Sequence, residues 1–80
     1  MQHFVYILHS PTLNKYYVGE TAQLEKRLIQ HNLGYGKFTK RGVPWVLIAS
    51  FMVSNRTEGR KLESKIKKRG IKRFLHDNSK

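Results

Sequence analysis

His3-Phe4-Val5-Tyr6-Ile7-Leu8-His9, then Ser10-Pro11-Thr12-Leu13-Asn14, then Lys15-Tyr16-Tyr17-Val18-Gly19 is the stretch that decides the fold. Residues 3–9 are aromatic and β-branched, a composition that suits a pleated, half-buried strand. Residues 10–14 are turn chemistry: proline presets φ, and Ser and Asn offer side-chain bonds to their own backbone. Lys15 to Gly19 is a second short strand that pairs back antiparallel on the first. The hairpin brings Tyr6 and Tyr17 near one another, with a register that the loop length leaves open.

Working outward, Thr21 reads as the cap of a helix running to about Leu33, with Glu25 in its first turn and Gly34 past its end. Leu24, Leu28 and Ile29 form its buried stripe. Arg27 and His31, at i and i+4, share a face beside that stripe. Residues 34–42, Gly-Tyr-Gly-Lys-Phe-Thr-Lys-Arg-Gly, form a basic, glycine-rich loop with two aromatics. Pro44 to Val53 is the most apolar run and is expected to be the central or most buried strand, with Trp45 in the core. Asn55 and Glu58 fit a reciprocal capping box. A helix follows to about Arg69 on a Leu62 and Ile66 stripe, and Ile71 to His76 forms a last short helix. The order β-β-α-β-α-α describes an α+β domain with helices flanking a three-stranded, mostly antiparallel sheet. No repeat, low-complexity tract or linker is visible, so residues 1–80 read as a single domain.

Composition narrows the function. Hydrophobic residues make up 39% and aromatics 11%, too many for a disordered chain. With no cysteine, disulfides and cysteine-ligated zinc are excluded. The apolar run near the start is short and has no basic leader, which argues against a signal peptide or membrane span and for a cytoplasmic protein. Net charge is +11 and uneven. Residues 1–54 carry six Lys/Arg against Glu20 and Glu25, whereas residues 55–80 carry ten against Glu58, Glu63 and Asp77. So basic a chain repels itself until it meets a polyanion, and nucleic acid is the commonest. A membrane-surface patch, a ribosomal contact or plain solubility are the ordinary alternatives.

Five side chains carry possible chemistry. Tyr6 and Tyr17 each have an ordinary reading as strand tyrosines with one hydroxyl partner. Together, next to a helix that offers Arg27 and His31, they suggest a site where a cation stabilises a phenolate. Arg27 alone suits a solvated helix arginine paired with Glu20 or Glu25, but its fork also fits a phosphate. His31 is either an amphipathic helix residue near Tyr35 or a group that positions a hydroxyl near neutral pH. Glu63 has an ordinary i, i+4 partner in Lys67. It also follows Leu62 at the edge of the buried stripe, where a lone carboxylate with waters and phosphate oxygens can hold magnesium. Lys40, Arg41, Arg60 and Lys67 fit contacts to a nucleic-acid backbone, and Phe38 or Tyr35 could stack on unpaired bases.

These residues resemble the GIY-YIG nuclease superfamily, especially its small single-domain bacterial members and the nuclease domain of the UvrC type. The first triad is Phe4-Val5-Tyr6 and the second Tyr17-Val18-Gly19. The helix motif runs from Leu24 through Arg27 and His31 to Asn32. Phe38-Thr39-Lys40-Arg41-Gly42-Val43-Pro44-Trp45 is the loop-and-strand signature, and Arg60 to Lys68 around Glu63 is the metal-glutamate helix. The first triad keeps its tyrosine but lacks its glycine. The resemblance implies a three-stranded sheet with flanking helices and single-metal hydrolysis of a DNA phosphodiester, with Mg2+ or Mn2+ on Glu63. It further implies that Arg27 stabilises phosphate charge, that His31 hydrogen-bonds near the nucleophile, and that one tyrosine activates water while the other positions it.

The sequence therefore leads to a metal-dependent DNA endonuclease, structure- rather than sequence-selective, acting in repair or recombination on branched or single-stranded DNA. A protein partner would supply targeting. A non-catalytic basic nucleic-acid-binding module is the competing expectation, and an RNA-binding accessory protein a third.

Overall fold

A computed structural model describes residues 2–37 and 39–78. The hairpin forms as expected from strands β1 (His3–Ser10) and β2 (Lys15–Thr21), antiparallel, with Tyr6 opposite Gly19 and Leu8 opposite Tyr17. Its turn is held locally. The buried Ser10 hydroxyl accepts the Leu13 N–H at 3.1 Å, and Asn14 takes φ 52°, a left-handed conformation that asparagine tolerates.

The third strand corrects an expectation. β3 (Val46–Val53) starts after the cis Val43–Pro44 bond and Trp45, and it lies on the edge of the sheet, in the order β2-β1-β3. β1 is the central strand. Its Val5 and Ile7 enter one core and its Tyr6 and Leu8 another, so both of its faces are covered. β3 contributes Phe51 to the first core but leaves Val46, Leu47, Ile48 and Met52 exposed. An apolar run alone does not make a strand central; helices must also cover both its faces. A register shift between Ile7 and Leu8, which pair with Ala49 and Leu47, leaves Ile48 as an extra residue in β3.

Helix α1 (Leu24–Asn32) is shorter than expected. Thr21 ends β2 instead of capping the helix, and its hydroxyl accepts the Gln23 N–H at 3.0 Å. Leu24 and Leu28 pack on the core, but Ile29 is exposed. Gly34 follows the helix with φ 81°, as its position suggested. The basic loop contains a single 3₁₀ turn, Thr39–Gly42.

Helix α2 (Arg56–Arg69) is capped by the Asn55 side chain, which accepts the Glu58 N–H at 2.9 Å. Glu58 does not complete the box; its carboxylate pairs with Lys61 instead. Helix α3 (Ile71–Asn78) follows Gly70, which has φ 94°.

The two cores lie on opposite faces of the sheet. Ile66 of α2 and Phe74 of α3 close on Val5, Ile7 and Val18. Trp45, with Leu24 and Leu28 of α1, closes on Tyr6 and Leu8. The candidate chemistry lies in the second layer. Among the described residues no helix is long and apolar enough to cross a membrane.

Candidate functional site

Tyr6, Tyr17 and His31 come together as three aromatic rings. Side chains two residues apart on a strand share a face, so Tyr6 and Tyr17 are diagonal neighbours across the hairpin. Their ring centroids are 6.3 Å apart. The His31 ring lies 5.8 Å from Tyr6 and 5.2 Å from Tyr17. The Tyr6 hydroxyl and His31 Nε2 are hydrogen-bonded at 2.9 Å, in the interior. His31 thus faces the tyrosine pair rather than Tyr35, which is exposed.

Gly19 makes this approach possible. A Cβ there would stand 2.6 Å from Tyr6 Oη, 2.7 Å from Tyr6 Cζ and 3.1 Å from Tyr17 Cε2. The glycine of the second triad is needed for the space it leaves over the sheet, because no positive φ is required at this position.

Behind His31 is a chain of buried polar contacts. His31 Nδ1 meets Thr39 Oγ1 at 2.9 Å, and the Trp45 indole N–H donates to the Thr39 carbonyl at 2.6 Å. Asn32 clasps the Trp45 backbone: its Oδ1 accepts the N–H at 2.6 Å and its Nδ2 donates to the C=O at 3.2 Å. The 3₁₀ turn and the start of β3 are thereby stitched to the end of α1. Of the two aromatics expected to stack, Tyr35 is exposed and Phe38 lies outside the described residues.

Charge approaches the rings from two helices. Arg27 is exposed on α1 and, among the described residues, holds neither Glu20 nor Glu25. Its positive charge is felt by both Tyr6 and His31. The Tyr6 phenol is pushed above its ordinary value, chiefly by burial and then by Tyr17, with Glu63 and Glu20 acting the same way and Arg27 opposing them. Tyr6 is therefore a neutral phenol at neutral pH. The imidazole of His31 is pushed below its ordinary value, by burial first and Arg27 second, which favours its neutral form.

Glu63 sits on α2, partly buried, with Lys67 Nζ at 2.8 Å. Its ordinary helix partner is therefore real. That pair raises the Lys67 pKa through the hydrogen bond. The pair is within electrostatic reach of the rings, since the negative charge of Glu63 acts on Tyr6 and Lys67 senses Tyr17. A recess lined by Glu20, Arg60, Glu63, Ser64 and Lys67 opens here. No group of three or more His, Cys, Asp or Glu suited to a metal occurs among the described residues. The donors that line the recess are oxygens, the carboxylates of Glu63 and Glu20 and the hydroxyl of Ser64. They suit a hard cation that keeps most of its waters, such as magnesium, and not a caged transition metal.

Glu20 escaped the sequence reading, which treated it only as a partner for Arg27. It bonds His3 Nε2 and lies 3.7 Å from Arg56 Nε, and it lines a second recess with Arg27, Lys26, Gln30 and Gln23. A carboxylate directly after Gly19 was the available signal. Thr39 also went unassigned, although it stands in the loop-and-strand signature. Of the expected backbone contacts, Arg60 and Lys67 line the Glu63 recess, while Lys40 and Arg41 are exposed on the 3₁₀ turn.

Comparison with known proteins bears on the family and the fold. The GIY-YIG catalytic domain family matches residues 2–73. A UPF0213 protein of Staphylococcus haemolyticus is 39% identical over 67 residues, 82% of this chain and 80% of its own length. A UPF0213 protein of Lactococcus lactis subsp. cremoris is 40% identical over 62 residues, 76% of this chain and 62% of its own length. The solution NMR structure of the UPF0213 protein of Bacillus halodurans superposes with a TM-score of 0.58 at 27% identity, covering 95% of this chain and 81% of that one.

Proposed function

This chain belongs to the GIY-YIG family of nuclease domains, and from that premise we propose that it is a metal-dependent endonuclease that hydrolyses DNA phosphodiester bonds. The observation that carries the reading is the cluster of Tyr6, Tyr17 and His31, with Arg27 on one helix and Glu63 on another acting on the same phenol. In this reading Glu63 would hold Mg2+ or Mn2+, with Lys67 giving up the Glu63 carboxylate to the cation. The ion, when bound, supplies Lewis acidity to the phosphate. Arg27 clamps a phosphate oxygen, a task for which its exposed, uncommitted fork is suited. One of Tyr6 and Tyr17 activates the attacking water by taking its proton while the other positions it, and His31 fixes Tyr6.

Lys40, Arg41, Arg60 and Lys67 contact the DNA backbone. Such contacts carry no base code, so selectivity rests on nucleic-acid structure, branched or single-stranded, as repair or recombination requires. A cytoplasmic setting and a partner protein that supplies targeting complete the proposal.

The Glu63–Lys67 ion pair favours one second reading, a basic binding module in which the carboxylate is only a helix contact. One experiment separates the two: labelled branched, flapped and single-stranded DNA incubated with the protein and its Glu63→Ala variant, in magnesium, manganese or chelator. Metal-dependent cutting that vanishes in Glu63→Ala is the expected result. Tight binding by both proteins with no cutting refutes the nuclease reading and leaves the binding module.

A further inference from the structure

We propose that the recess between α1 and the start of α2, which shares Glu20 with the Glu63 recess, is a subsite for the phosphate next to the one being cut. A substrate strand would then leave the Glu63 recess, pass Arg27 and enter this one. The proposal rests on the endonuclease reading for which phosphate is cut, while the anion site itself rests on what lines the recess. Its volume is about 380 Å³, and Gln23, Lys26, Arg27 and Gln30 line it from α1 and its cap. These residues stand at i, i+3, i+4 and i+7, so they share one face, apart from the Leu24 and Leu28 face that packs on the sheet. Arg56, the first residue of α2, joins the lining from a different helix.

A polar helix face is ordinarily no more than solvated surface, and the charge of this recess sets it apart. Lys26 and Arg27 hold no carboxylate among the described residues. Glu20, the carboxylate in the lining, is already engaged: one oxygen bonds His3 Nε2, and the other lies 3.7 Å from Arg56 Nε. The recess therefore keeps an excess of positive charge, which concentrates anions. The side-chain amides of Gln23 and Gln30 add N–H donors of the kind that phosphate oxygens accept. No Phe, Tyr or Trp lines it, so it suits a sugar-phosphate unit and offers no platform for a base.

Two residues join this recess to the reacting groups. Arg27 lines it, and the same charge acts on Tyr6 and His31. Glu20 lines both this recess and the one that holds Glu63, Arg60 and Lys67. A carboxylate at that shared wall repels phosphate, so the two anion seats lie on either side of it. A strand whose scissile phosphate sits between Glu63 and Arg27 thus has its neighbouring phosphate at Lys26 and Arg56. Phosphates held at two seats fix the run of the strand through the site and carry no base information.

Metal-free titrations test the subsite without requiring cleavage. 15N-labelled protein in chelator is titrated with the thymidine tetranucleotide and with its analogue in which every linkage is an uncharged methylphosphonate. Backbone amide signals of Gln23, Lys26, Gln30 and Arg56 should shift with the charged strand and stay in place with the neutral one. In binding titrations of the charged strand across a salt series, Lys26→Ala and Arg56→Ala should each reduce the slope of log K on log salt by about 0.7, the share of one single-strand phosphate contact. Lys72→Ala, an equal loss of charge on α3, should leave that slope unchanged. Signals of these residues that stay still with the charged strand, or move equally with the neutral one, overturn the proposal. So do unchanged slopes in both variants, or an equal loss of slope in Lys72→Ala. Magnesium-dependent cutting without these shifts removes the subsite and leaves the endonuclease. The shifts without any cutting keep the anion site and remove the endonuclease reading.

Discussion

Replacing Gly19 with alanine tests whether the two tyrosines meet as tightly as described. The added Cβ would sit 2.6 Å from Tyr6 Oη and 2.7 Å from Cζ, separations that real Cβ atoms essentially never show. Tyr6 cannot swing aside freely, because it is 1% exposed and its hydroxyl is bonded to His31. Overpacking of this kind costs about 1–3 kcal/mol. Alanine recovers roughly 0.5–1 kcal/mol of backbone entropy relative to glycine within a strand. The net loss is about 0–2.5 kcal/mol, centred near 1 kcal/mol, and in a domain of this size that central value lowers Tm by roughly 4–8 °C. Urea and thermal unfolding measure the loss, and the His31 ring resonances report whether the Tyr6 bond survives. Combining Gly19→Ala with Tyr6→Phe removes the 2.6 Å contact and should return part of the lost stability, a non-additivity expected only for touching residues. A Gly19→Ala protein with an unchanged unfolding midpoint and unshifted His31 signals would refute the reasoning.

Asn32→Ala leaves two Trp45 backbone groups without their clasp and should cost about 2–3 kcal/mol in urea unfolding; a midpoint equal to the unmodified protein's would show the clasp to be idle. Because burial and Arg27 depress the His31 pKa, the unfolded chain takes up that proton first as pH falls below the ordinary histidine value near 6.5. Stability present above that pH should therefore decline below it, and the decline should flatten in His31→Gln; unfolding midpoints between pH 7.5 and 5 check the sign. Lys67→Ala frees the Glu63 carboxylate, so magnesium should raise Tm more in this variant than in the unmodified protein, while DNA binding measured by anisotropy weakens. Asn55→Ala removes the α2 cap and should cost about 1 kcal/mol, read from the urea midpoint.

What the sequence disclosed was whatever is settled locally. The hairpin, the Asn55 cap, the Gly34 stop and the Leu62 and Ile66 stripe depend on residues within a few positions of one another, and all appear in the structure. The place of β3 depends on which strand lies between the others and which faces the helices cover, and an apolar run carries neither fact. Ile29 was assigned to the buried stripe by periodicity, but α1 covers too narrow a strip of the sheet to bury it. Of the candidate site, the two tyrosines, Arg27, His31 and Glu63 were proposed from spacing and resemblance. Glu20 and Thr39 were not, because their importance arises from partners 17 and 8 residues away. Spacing anticipated the Glu63–Lys67 pair, but not that the charge of Glu63 also reaches Tyr6.

The uncovered edge of β3 bears on how the molecule behaves in bulk. Strands exposed at a sheet margin are commonly guarded by a lysine, a proline, an inward charge or a bulge, and of these Val46–Val53 has only the extra residue at Ile48. A second guard is remote and collective: a net charge of +11 keeps like molecules apart. Its range is set by salt, roughly 10 Å at 0.1 M and about 3 Å at 1 M. Colloidal stability is therefore a property of the whole electrostatic field rather than of the strand. High ionic strength, or a coat of polyanion that neutralises that field, should therefore favour association of copies through the same eight residues.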